Sequence, residues 1–344
     1  MVPDPMHPVI ESHYLETEEG LFFAVKDLVH PPDRFMACLR YVPDPNGDRG
    51  KGGNHYRRMY HFAEQEQFLQ THYPHYLAFE PTIQATLQSV PRQFIRRVFD
   101  PRARLQEIYQ HAERDPLEEE ALTFTKQLQK VSGIPLESLG ISGSLLIGLH
   151  TGHSDLDISV YGAQNCLFLH RALKSLLAQG ESKTISHLDS QGMQALYAER
   201  SGDTQMDFAD FFRSERDKVN QGRFRDRVYF LRFLKEPGKT GEIYGDHCYS
   251  PLGRAEIQAT ITTNHDAIFT PCCYSLADVR ILRGPSTNHI REIVSFRGRF
   301  CDQAQVGDSI QASGTLERVQ DKSGCTWYRL LLGNAMEDTM FLRR

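Results

Sequence analysis

The chain has little that would take it out of a reducing, aqueous compartment. Its seven cysteines are scattered and include no Cys-x-x-Cys pair, only the neighbours Cys272-Cys273, so no disulfide framework is indicated. No apolar run approaches the length of a membrane span, and none follows Met1-Val2-Pro3-Asp4-Pro5 as a secretory leader would. A cytoplasmic protein with no membrane partner is expected. Charge of one sign is scarce as well: 39 Lys and Arg stand against 44 Asp and Glu, a net of -5. No global field announces a nucleic-acid partner, which only local clusters could then hold.

What is present is concentrated in one stretch. Gly140-Ile141-Ser142-Gly143-Ser144 is followed by Ser154-Asp155-Leu156-Asp157-Ile158, and the pattern reads strand, turn, short helix, loop, strand. Residues i and i+2 of a strand share a face, so Asp155 and Asp157 converge on a point that Leu156 and Ile158 avoid. Two hard oxygen ligands side by side suit Mg²⁺, which is held by one or two carboxylates plus substrate phosphates. The Gly143-Ser144 turn at a helix start offers N–H groups and a hydroxyl to those phosphates.

Gly-Ser followed by Asp-x-Asp resembles the signature of the nucleotidyltransferase superfamily of DNA polymerase β. The resemblance covers residues 105–240 well and the flanks loosely. It implies an α+β fold whose nucleotidyltransferase core is a mixed sheet with helices. It also implies two Mg²⁺ ions, with Mn²⁺ as a substitute, a nucleoside triphosphate substrate such as ATP, and a third metal-binding carboxylate on a later strand. In Met206-Asp207-Phe208 the apolar residues alternate around one acid, so Asp207 is the candidate on a strand over 204–212, with Asp203 and Asp210 as fallbacks. A surface acid on an edge strand is the plain alternative. Asp155, Asp157 and Asp207 would be catalytic and metal-binding. Neither the tandem helix-hairpin-helix repeats of repair polymerases nor the head and neck of CCA-adding enzymes is recognisable.

Three regions are expected: an N-terminal α/β accessory region over 1–104, the catalytic domain over 105–240, and a C-terminal small β-barrel, of which an OB-like barrel is one form, over 245–344. In the first, Leu21 to Val25 and Phe35 to Val42 read as strands, and the glycine-rich run Pro43 to Gly53 reads as an irregular loop. It leads into His55-Tyr56-Arg57-Arg58-Met59-Tyr60-His61, where cations and aromatics interleave, a mixture that suits phosphate contact and base stacking; an ordinary mobile hairpin with an amphipathic continuation is the plain alternative. Asp115-Pro116 opens a connector helix that Ser132-Gly133 closes, and Cys166 to Ala178 reads as another helix.

Residues 213–235 hold eight cations (Arg213, Arg216, Lys218, Arg223, Arg225, Arg227, Arg232, Lys235) against three acids. Beside a metal site they could clamp a triphosphate or track a nucleic-acid backbone, with Arg223 and Arg227 as nucleotide-binding candidates beside Gly143 and Ser144. A solvated helix face is the alternative. From residue 245 short strands alternate with glycine-marked turns, and Phe296, Arg297, Arg299, Phe300, Trp327, Tyr328 and Arg329 could form a nucleic-acid face or simply core and rim. The C-terminal cysteines match no common metal motif, so buried reduced thiols are expected. His150 and His153 lie in the catalytic loop. The expected reaction moves a nucleoside monophosphate to a hydroxyl acceptor, foremost an RNA or DNA end, and releases pyrophosphate. A small-molecule or protein acceptor competes with that reading, as does a non-catalytic nucleic-acid-binding module.

Overall fold

The computed structural model of the chain describes residues 8–180, 182, 184–203, 206–236, 242–287 and 289–343, with only the backbone of Asp203. Among them the strands form three sheets and helices are interspersed, an α+β chain as expected. Two compact units emerge, one of Met1–Ala78, Leu87–His187 and Val219–Glu242, the other of Phe79–Thr86, Leu188–Lys218 and Ile243–Arg344. They cut across the three consecutive regions, because residues 188–218 leave the first unit between two strands of one sheet.

In the first unit, alternating apolar residues build an antiparallel sheet from β1 (Tyr14–Thr17), β2 (Phe22–Val25), β3 (Arg34–Pro43), β4 (Arg49–Lys51) and β5 (Asn54–Arg58). With β6 (Leu77–Glu80), β7 (Ala85–Pro91) and β8 (Ile95–Phe99) it has eight strands, on the path β4-β5-β3-β2-β1-β8 with β7 also on β3. The glycine-rich run is irregular only in its first half and ends in a hairpin, the plain alternative for this segment. Lys51 pairs with Asn54 across Gly52 and Gly53, at φ 58° and 82°. A two-residue hairpin turn with positive φ at both positions matches strand twist and favours glycine. Helix α1 (Phe62–His72) follows β5. A register shift opposes Phe22 to Tyr41 but Phe23 to Leu39. Arg40 is thus the extra residue of a bulge, a device that re-aims neighbouring side chains.

The second sheet has the order β11-β12-β13-β10-β9, from β9 (Leu139–Ile141), β10 (Leu156–Tyr161), β11 (Ile185–Ser186), β12 (Gln221–Phe224) and β13 (Arg227–Leu234). Only β10 and β13 run parallel. With it come α2 (Pro101–Gln110), α3 (Pro116–Ser132), α4 (Gly143–Ile147) and α5 (Ala163–Gln179). Helix α3 starts and stops as expected: Asp115 caps Leu117 and Glu118, Glu118 returns the bond to Asp115 N–H, and Gly133 ends the helix at φ 73°. Phe124 of α3 lies 4.8 Å from the Phe224 ring and 4.9 Å from that of Tyr229, and His170 of α5 6.1 Å from Phe233. Those helices cover the face carrying Leu156, Ile158 and Val160. The face with Asp157 and Ser159, paired across β13 with Phe230 and Arg232, is the polar one.

The second unit contains α6 (Ser190–Arg200), α7 (Phe208–Glu215) and a closed ring. Its strands are β14 (His247–Thr263), β15 (Cys272–Arg283), β16 (Ile290–Ser295), β17 (Ser309–Asp321), β18 (Thr326–Leu332) and β19 (Thr339–Leu342). The order β14-β15-β16-β18-β17 closes by pairing of β14 with β17, and β19 joins β17 from outside. Ile257, Tyr274, Ile293, Phe300, Leu316 and Leu330 fill it.

Candidate functional site

Ser142, Gly143 and Asp157 meet where β9 turns into α4. The Ser142 N–H donates to the Asp157 carbonyl at 2.8 Å, and the Ser142 hydroxyl to the carbonyl of Ser12 at 2.8 Å. Gly143 sits at φ +63°, and a Cβ there would lie 1.9 Å from the Asp157 carboxylate oxygen Oδ2. Glycine is required twice over, by the left-handed backbone and by the carboxylate occupying the space a side chain would need. The Ser144 hydroxyl is half-buried and makes no hydrogen bond among the described residues. Asp157 is half-buried on β10, and Asp155 is exposed one residue before it.

The loop that presents Asp155 is braced from three sides. Arg227 donates to the carbonyls of Gly152 at 3.0 Å and Ser154 at 2.8 Å while pairing with Glu120. Arg49 donates to the Ser154 hydroxyl at 3.1 Å and the Leu149 carbonyl at 3.3 Å. His150 meets Asp115 at 2.8 Å. Burial would raise the Asp115 carboxyl, but the N–H of Glu118 and the His150 contact outweigh it and hold it below its ordinary value. Arg227 and His150 therefore secure the loop, while the His153 ring is exposed.

The N-terminal sheet faces this turn. Tyr14, Tyr41 and Tyr56 pack in one cluster with Leu146, Ile147 and Leu149 from α4 and the residues after it. Burial raises the Tyr14 phenol above its ordinary value, the Arg40 charge opposing and the Asp157 charge adding to that. Arg232, the residue paired with Ser159, is bound at 2.8 Å to buried Glu11. Burial alone would raise the Glu11 carboxyl, but Lys26 and Arg232 hold it below its ordinary value.

Other expected site residues lie differently. Asp207 is not on a strand: it is the N-cap of α7, and its carboxylate accepts the Asp210 N–H at 2.8 Å. Phe208, Phe211 and Phe212 follow the helical spacing, which the brief alternation of Met206 and Phe208 obscured. Thr204, Gln205 and the side chain of Asp203 lie outside the described residues. On β13 the residue beside Asp157 is Phe230, not an acid. Among the described residues no group of three or more His, Cys, Asp or Glu could hold a metal ion.

The cationic tract is largely consumed by carboxylates. Arg213 pairs with Asp210, Arg216 with Asp217 at 3.3 Å and Lys218 with Glu215 at 2.6 Å, all in the second unit. Arg223 on β12 donates to the Asp226 carbonyl at 2.8 Å, and Arg225 stands over the Phe224 ring. In the ring, Phe300 is core, Trp327 donates to Glu292 at 3.1 Å and Arg297 to the Gly333 carbonyl at 3.1 Å. Of the C-terminal cysteines, Cys272 and Cys301 are buried thiols as expected, Cys273 is half-buried, and Cys248 and Cys325 are exposed.

The sequence reading missed Tyr14 and Arg40. One cation inside an apolar strand was the available signal for Arg40, but the bulge that redirects the strand leaves no sequence mark.

An α+β chain with paired acids beside a glycine turn is the class of protein that fold and site define. It is 30% identical over 333 residues to the uncharacterized protein MJ1086 of Methanocaldococcus jannaschii, across 94% of this chain and 95% of that protein, and it belongs to the same family. No family model and no solved structure matches it.

Proposed function

We propose that the chain is a metal-dependent nucleotidyltransferase that moves a nucleoside monophosphate from a nucleoside triphosphate to a hydroxyl acceptor and releases pyrophosphate. The observation that carries the reading is the Gly143 backbone in the left-handed region against the Asp157 carboxylate, on the polar face of a sheet whose other face is covered by helices. Asp155 and Asp157 would hold Mg²⁺. Carboxylates of this kind suit an ion that is held by one or two of them and completes its shell with water and substrate phosphates. When bound, the ion supplies charge stabilisation at the phosphates and lowers the pKa of the attacking hydroxyl.

The protein's own groups orient the substrate. Ser144 offers an uncommitted hydroxyl at the turn, and Arg227 and Arg49 hold the Asp155 loop in place. Asp207 has no part in this proposal, being an N-cap.

An RNA or DNA end is the favoured acceptor. The ring order, with its third and fifth strands parallel, has the connectivity of an OB barrel, a form that binds oligonucleotides on its strand face. Transfer to a small-molecule or protein hydroxyl is the second reading, favoured by the ion pairs that occupy Arg213, Arg216, Lys218, Arg227 and Arg232. The test is to incubate the purified chain, Mg²⁺ and each labelled nucleoside triphosphate with its co-purifying nucleic acid. Label joined to nucleic acid supports the first reading. Label on another molecule supports the second, and no metal-dependent transfer to any acceptor removes both.

A further inference from the structure

Arg58 is the last residue of β5, paired with Tyr41 of β3. Its Nε is buried and has no hydrogen-bond partner, and its guanidinium makes no ion pair among the described residues. It rests over the Tyr60 ring at 4.5 Å, and that ring is 46% exposed. The neighbouring Arg57 differs: it binds Asp44 at 3.1 Å and Glu64 at 2.5 Å. Arg58 itself is half-buried, and a buried N–H left without an acceptor costs free energy that an anion reaching the guanidinium would recover.

The surroundings point the same way. Arg40, brought to the bulge of β3, likewise makes no ion pair among the described residues, and the hydroxyls of Tyr14 and Tyr41 make no hydrogen bond there. Burial would lower the Arg58 guanidinium, but Tyr41, Tyr60, Tyr14 and Asp157 outweigh it and hold it above its ordinary value. Of those four groups only Asp157 is charged at neutral pH. Arg58 is paired in register with Tyr41, and Tyr41 and Tyr14 pack in one cluster with Leu146 and Ile147 of α4, the helix that opens at Gly143 against the carboxylate assigned to the metal. Alternating negative, positive and donor groups match a metal-bound phosphate chain, whose far oxygens need cationic partners.

We propose that Arg58, with Arg40 and the Tyr14 hydroxyl, binds the phosphate chain of a nucleoside triphosphate, so that the N-terminal sheet supplies half of the nucleotide site. The inference deepens the nucleotidyltransferase reading and rests on it for the identity of the ligand.

The experiment is calorimetric titration of the full chain with inorganic tripolyphosphate in EDTA, which needs neither metal nor transfer, and with Mg·ATP. Wild type should bind both. Arg58→Gln should weaken tripolyphosphate at least about tenfold, the scale of a lost charge-assisted contact. Its melting temperature without ligand should be unchanged or higher, which a merely structural arginine would not give. If that variant does not fold, Arg58→Lys carries the test: it keeps the charge and loses the fork, and a loss of threefold or more is expected. No tripolyphosphate binding by wild type, or undiminished binding in Arg58→Gln or Arg58→Lys, overturns the inference even where transfer is observed. Arg58-dependent binding in a protein that transfers nothing upholds the anion site and removes the nucleotidyltransferase reading alone.

Discussion

Two arginines differ in how their charge is met within the chain. Arg329 in the ring and Arg58 in the N-terminal sheet both lie over tyrosine rings, Tyr249 at 3.8 Å and Tyr60 at 4.5 Å. Arg329 donates to buried Glu317 at 2.7 Å, whereas Arg58 Nε is buried with no acceptor. A buried carboxylate of the ring is likewise engaged within the chain. Asp338, fully buried, takes Arg254 at 2.7 Å and the N–H groups of Gly333, Asn334 and Ala335. In the N-terminal sheet Arg58 Nε has no acceptor within the chain, and a buried donor of that kind calls for an explanation.

The comparison breaks most readily at Glu317. Glu317→Gln should destabilise the protein by about 3–5 kcal/mol, the cost of stranding one member of a buried ion pair, read as a fall in the denaturant midpoint. A loss below 1 kcal/mol would mean that the ring's pairs are not structural, and the contrast with Arg58 would lose its meaning.

Gly143→Ala sharpens the other side. The left-handed backbone costs a side chain about 1–2 kcal/mol. The added Cβ also meets the Asp157 carboxylate, so metal affinity should fall more than stability does. Equal metal affinity in the variant, measured by Mn²⁺ titration, would detach Gly143 from the site.

Asp115 gives the smallest effect. Asp115→Ala removes the cap of α3 and the partner of His150, at about 1 kcal/mol. Its carboxyl is held below its ordinary value when folded, so its contribution is present above the unfolded pKa and lost as pH falls through the folded one. The difference in stability between wild type and variant should therefore shrink as pH drops below about 4. A difference that grows in acid would reverse the assigned sign.

Local chemistry was the legible part. Asp115-Pro116 and Gly133 mark α3 because caps act within one turn, and Asp157 falls on β10 as the alternation suggested, whereas Asp155 lies one residue before that strand. Asp207 misled because two apolar residues around an acid fit a strand and a helix start equally, and the three phenylalanines that follow decide for the helix. In the tract over 213–235, Arg213, Arg216 and Lys218 pair with acids within three residues, whereas the partners of Arg227 and Arg232, Glu120 and Glu11, are distant in sequence and could not be read from it. Arg40 and Arg58 reach the site through a bulge and a strand pairing, both non-local facts.

The most direct measurement is metal-dependent pyrophosphate release from nucleoside triphosphates in the presence of co-purified nucleic acid, comparing wild type with Asp157→Asn. That substitution keeps the side chain's shape against Gly143 and removes its charge. The account predicts Mg²⁺-dependent release by wild type, a fall of orders of magnitude in the variant and a nearly unchanged melting temperature. Substantial turnover in folded Asp157→Asn, or none in wild type with any triphosphate and acceptor, would contradict it.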